Sequence, residues 1–126
     1  MADRAQLNQV FDELRSQLRK YAPRLGEGAD EAEQYILKPP DAPALRKMGF
    51  FASLQLRKNY VSFHLAPVYV DPTLLEGISP ALKKRMQGKS CFNFARIDPA
   101  LFAEMDQLAA RSLERFTTEA TSGATP

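Results

Sequence analysis

Cysteine and histidine each occur once, as Cys91 and His64. A lone cysteine excludes an internal disulfide and fits a reducing cytoplasm. One Cys with one His also excludes a structural zinc site, which needs several such ligands. No apolar run reaches the ~18 residues that a membrane span requires, so no membrane partner is expected. The N-terminal MADRAQLNQVFDELRSQLRK lacks the apolar centre of a secretory signal. The formal charge is only +2, which gives no electrostatic case for nucleic acid as a partner. Gly-x-Gly-x-x-Gly, P-loop and Gly-x-Ser-x-Gly patterns are absent, and no internal repeat is visible. The 126 residues suit a single cytoplasmic domain over 1–116 with a modest core, followed by a small, polar, disordered tail over 117–126.

The chain is richest in signals between Lys58 and Phe94. Tyr60-Val61-Ser62-Phe63-His64-Leu65 alternates strictly, which predicts a half-buried strand with Val61, Phe63 and Leu65 toward the core. Pro67 cannot donate to a ladder, so pairing should weaken there. Asp71-Pro72 and Ser79-Pro80 each join an N-cap residue to proline at the first helical position. The first helix should be short, ending near Gly77. The second is predicted over about 80–87, with Gly88 as its left-handed stop. Ser90 to Phe94 alternates again and reads as a strand, with Phe92 and Phe94 on one face and Cys91 and Asn93 on the other.

Before this stretch, Leu7, Val10, Phe11, Leu14, Leu18 and Tyr21 recur at helical spacing, and Pro23 and Gly26 close that helix. Glu27, Asp30, Glu31 and Glu33 make a small acidic segment that reads as a solvated loop. Gln34 to Lys38 is a predicted strand stopped by Pro39-Pro40, and one helical turn capped by Asp41 follows. From Phe50 the chain alternates to Arg57, with Phe51, Ser53, Gln55 and Arg57 on the face away from Phe50, Ala52, Leu54 and Leu56. Lys58-Asn59 should close a hairpin to Tyr60–Leu65, with asparagine tolerating the left-handed conformation. Asp98-Pro99 opens a last helix whose stripe is Leu101, Phe102, Met105, Leu108, Ala109, Leu113 and Phe116. The expected fold is α+β: a two-layer sandwich of about four mainly antiparallel strands with helices packed on one face.

The run KNYVSFHL, PVYV and then ISPALKKRMQGKSCFNF resembles the YdhG-like family of small bacterial domains. The likeness is most specific over Lys58–Leu65 and Ser79–Phe94 and extends from about Phe11 to Leu108. It implies a small sheet with helices packed on it. The family's best-known branch is described as a frataxin-like intracellular iron chaperone. No catalytic residue carries over from the resemblance.

If helices cover one sheet face, the other should display Phe51, Ser53, Gln55, Arg57, Tyr60, Ser62, His64, Cys91 and Asn93. Aromatic surface, hydrogen-bonding groups and one arginine suit a ligand-binding face or a homodimer interface. The plainer alternative is ordinary packing under loops. A Cys91–His64 nucleophile pair requires the two strands to be neighbours and an imidazolium beside the thiolate; otherwise Cys91 is a small buried hydrophobe. Lys83, Lys84, Arg85 and Lys89 suit either an anion or a solvated helix end that complements the dipole. Two functions follow. The first is a non-enzymatic module binding a small ligand or a protein partner on the sheet face. The alternative is a frataxin-like iron-binding chaperone using Glu27, Asp30, Glu31 and Glu33 as oxygen ligands, with iron as its metal.

Overall fold

The structure, a computed structural model, describes the backbone of residues 3–124 and the side chains of residues 3–117. Helix α1, Arg4–Arg19, starts where the Asp3 carboxylate accepts the Ala5 N–H at 3.0 Å. Its stripe of Leu7, Val10, Phe11, Leu14 and Leu18 is buried. A single turn, α2 (Ala22–Leu25), carries the chain around Pro23 to the sheet.

The sheet has five strands in the order β1-β2-β3-β4-β5, every neighbour antiparallel. They are β1 (Glu27–Asp30), β2 (Gln34–Leu37), β3 (Ala52–Leu56), β4 (Val61–Leu65) and β5 (Cys91–Phe94). The α+β class and one-sided helices are as expected, but the first half of the acidic segment, Glu27–Asp30, is a strand, and only 31–33 form the expected loop. Its sequence has no strand signal of its own. It is held by pairing with β2 and by cations of α1 beside its carboxylates. The register slips between Glu27 and Ala29, where Gly28 lets the backbone come close: a Cβ there would sit 3.3 Å from Ile36 Cγ2.

The buried face carries one continuous row, Tyr35–Leu54–Phe63–Phe92, with no exposure at any of the four. Helix α1 and helix α6 (Pro99–Ala124) supply the facing layer of the core. Phe102 meets Phe94 edge-on, 5.3 Å between ring centres, the geometry that ring quadrupoles favour. Asp98 caps α6 by accepting the Leu101 N–H at 3.1 Å. The helix continues beyond Phe116, where the apolar stripe ends; the side chains past Thr117 and the last two residues of the expected disordered tail lie outside the described residues. Among the described residues no helix is long and apolar enough to cross a membrane.

Four local expectations need correction. Helix α3, Pro43–Met48, is capped at Ala42 without a side-chain bond; Asp41 lies one residue early and pairs with Arg46 at 2.9 Å instead. The β3–β4 hairpin closes through Arg57 N–H to Tyr60 O at 2.9 Å with no left-handed residue, because no described non-glycine residue has positive φ. The Arg57 carbonyl accepts from Arg4 Nη1 of α1 at 3.4 Å, which ties the turn to the first helix. Past Leu65 the chain does more than lose pairing: Pro67 lies in the first turn of a short helix, α4 (Ala66–Val70). The helix after Ser79, α5, spans only Pro80–Lys83. Asn93 N–H donates to Arg85 O and Gln87 N–H to Cys91 O, both at 2.8 Å, so residues 85–87 leave the helix to cover the β5 edge. Gly88, at φ +84, turns the chain within that link rather than ending a helix.

Candidate ligand-binding face of the sheet

The side of the sheet away from the helices is read directly from the register. Gln34, Gln55, Ser62 and Asn93 stand opposite one another across β2 to β5, and Ile36, Ser53, His64 and Cys91 form the next row. Six of the nine expected residues, Ser53, Gln55, Ser62, His64, Cys91 and Asn93, therefore share one face. Gln34 and Ile36 join them. Tyr35, Ile36 and Leu37 are consecutively apolar, so the sequence shows no alternation there, and only pairing with β3 shows which face Gln34 and Ile36 occupy. Ser53 and Ser62 are 6% and 4% exposed, because short side chains on central strands are shaded by longer neighbours. Gln55, His64, Cys91 and Asn93 are half-buried.

Three expected members behave differently. Phe51 is not on this face. It lies in the bend before β3, wholly buried, with its ring 6.4 Å from that of Tyr21. The alternation therefore begins at Ala52, and Phe51 answers to the core. Tyr60 is half-buried in the hairpin link, outside β4. Arg57 is exposed there, but its guanidinium donates to Gln55 Oε1 and so borders the face.

A hydrogen-bonded chain runs across the β4–β5 end. Ser62 Oγ and Cys91 Sγ are 3.0 Å apart, the thiol reaches Asn93 Oδ1 at 3.4 Å, and Asn93 Nδ2 donates to Gln87 Oε1 at 2.7 Å. Cys91 and His64 are direct cross-strand neighbours, yet the thiol bonds to Ser62 and Asn93 rather than to the imidazole. Burial, and then repulsion from Arg57, push His64 below its usual value. The ring is therefore neutral at pH 7 and supplies no imidazolium to stabilise a thiolate. Geometry and charge both oppose an activated nucleophile. Among the described residues the ring nitrogens of His64 have no hydrogen-bond partner, which leaves one donor and one acceptor for an outside group.

The four carboxylates considered for iron do not converge. Glu27 accepts the Tyr35 hydroxyl at 2.7 Å and lies 3.6 Å from Arg19. Asp30 is shared by Arg15, at 3.3 Å, and Arg19. Glu33 meets Arg4 at 2.5 Å. Glu31 is exposed in the β1–β2 link. Among the described residues no group of three His, Cys, Asp or Glu side chains could hold a metal ion. A cation at Asp30 would have to displace two guanidinium groups.

Compared with family models, with curated proteins and with solved structures, the chain matches none.

Proposed function

We propose that this chain is a non-enzymatic binding module of the bacterial cytosol that docks a partner chain on its open polar sheet face. The reading rests on one observation: two cross-strand rows of uncharged side chains, all but Ile36 with hydrogen-bonding groups, lie on the face that the helices leave free. Ser, Cys, Asn and Gln give that face low relief. Small-ligand sites are concave and mostly apolar, so this surface suits the polar surface of another protein, including a second copy of the chain. The resemblance to YdhG-like domains supports a small bacterial module.

Native mass spectrometry of freshly purified protein tests the reading. The expected result is a dimer or hetero-complex above the 14.1 kDa chain. It should disappear when Gln34→Arg and Gln55→Arg place two bulky charges on the face. A bare monomer, or a complex that survives the double variant, would overturn the reading. An iron-sized mass excess removed by converting Glu27, Asp30, Glu31 and Glu33 to Gln would replace it with the frataxin-like iron chaperone.

A further inference from the structure

A cavity of about 430 Å³ opens on the helix side of the molecule, where α5, β5 and α6 meet. It is separate from the open face, because its Phe94 belongs to the buried side of the sheet. Its volume falls within the roughly 300–1,000 Å³ range of small-molecule sites. Phe94 and Leu101 supply apolar wall, while Lys84, Arg85 and Arg96 line it with cationic side chains. Arg4, Arg15, Arg19, Arg46 and Arg115 each meet a carboxylate. The side chains of Lys84, Arg85 and Arg96 have no ion pair or hydrogen bond among the described residues. The one acidic lining residue, Asp98, is engaged as the cap of α6. Three cations against one carboxylate leave a net charge of two positives around a partly apolar cavity.

We propose that this cavity binds a phosphomonoester carried on an apolar or aromatic group. A phosphomonoester bears about −1.5 to −2 charge at pH 7, which matches that excess. Two guanidinium forks suit its oxygens, and the lysine adds a point charge. Leu101, with Ala81 and Ala95, gives the attached group an accessible apolar surface above the buried Phe94. The N-terminal end of α6, at the same place, adds partial positive charge. The run Lys83, Lys84, Arg85 and Lys89 is thereby divided. Lys84 and Arg85 serve the cavity, while Lys89 sits 5.9 Å above the ring of Tyr69.

The test is a titration of the full chain with phenyl phosphate, followed by amide chemical shifts, with inorganic phosphate and phenol in parallel. Phenyl phosphate should saturate, moving amides at 84–85, 94–96 and 98–101. Inorganic phosphate and phenol should each bind at least about tenfold more weakly, since each retains only half of the contacts. Arg85→Gln and Arg96→Gln are changes at exposed positions that leave the core intact. Each should weaken phenyl phosphate by about tenfold, the loss of a charge-assisted bond. Lys47→Gln, which removes an exposed cation of α3 outside the cavity lining, should leave it unchanged. Equal binding of phenyl phosphate and inorganic phosphate, shifts confined to other residues, or full affinity in the double arginine variant would each overturn the proposal.

Discussion

Glu104 offers a sharp test of how the short elements are held on the long helix. It lies on α6 and grips the start of α5 with both oxygens, accepting from the backbone N–H and the hydroxyl of Ser79, each at 2.6 Å. The same hydroxyl accepts the Leu82 N–H at 3.1 Å, so one serine caps α5 and tethers it. Hydrogen bonds to a charged acceptor contribute about 1.5–3 kcal/mol each when shielded from water. Both groups are only half-buried, and water partly replaces what is lost. Glu104→Ala should therefore cost about 2 kcal/mol, below the roughly 3 kcal/mol minimum for two fully shielded bonds. In a chain of this length that lowers the melting temperature by roughly 8 °C. Glu104→Gln keeps one acceptor for the Ser79 N–H and should lose about half as much. Urea unfolding followed by circular dichroism measures both variants, and hydrogen exchange at residues 79–83 should accelerate in Glu104→Ala. A loss below about 0.5 kcal/mol at unchanged slope would refute the tether as a stabilising contact.

Three further outcomes follow from the geometry. His64 titrates below its unfolded value, so the unfolded chain binds the extra proton; stability is full above pH about 6.5 and falls as pH drops through that value toward the folded one. The slope should not exceed about 1.4 kcal/mol per pH unit, and His64→Gln should flatten it between pH about 7.5 and 5.5, where no other histidine titrates; an identical pH profile in the variant would contradict this. Burial, then the nearby Asp106 carboxylate, push Tyr21 up to about 12, so in an ultraviolet difference titration Asp106→Asn should move its midpoint part of the way back to the ordinary phenol value. Phe63→Ala empties the centre of the buried row and should cost about 3–5 kcal/mol in urea unfolding, whereas a loss under about 1 kcal/mol would mean that the core closes over the gap.

Much of the open face is legible in the order of residues. The alternations of β3, β4 and β5 place Ser53, Gln55, Ser62, His64, Cys91 and Asn93 on one side, because strand side chains alternate with period two and hairpin pairing preserves the face. The same rule fails at Phe51, where the strand has not yet begun and the ring is drawn into the core beside Tyr21. The cavity of Lys84, Arg85 and Arg96 is not legible in this way. Its members come from α5 and the link after it, the end of β5, and the loop and first turn of α6, which residues 85–87 bring together by leaving the helix for the β5 edge.

What local chemistry controls can be read from the residues in order. The apolar stripes of α1 and α6, the alternating strands, and the caps at Asp71, Ser79 and Asp98 each depend on neighbours a few residues away. Whatever depends on partners far along the chain was settled only by the folded arrangement. Glu27 to Asp30 became an edge strand because β2 offered backbone bonds and α1 supplied arginines. Those same arginines drew Glu27 and Asp30 into ion pairs, with Arg4 taking Glu33, where spacing alone had suggested a cation site. Spacing sets which groups lie near one another along the chain, but the charges that distant elements bring alongside decide what those groups bind.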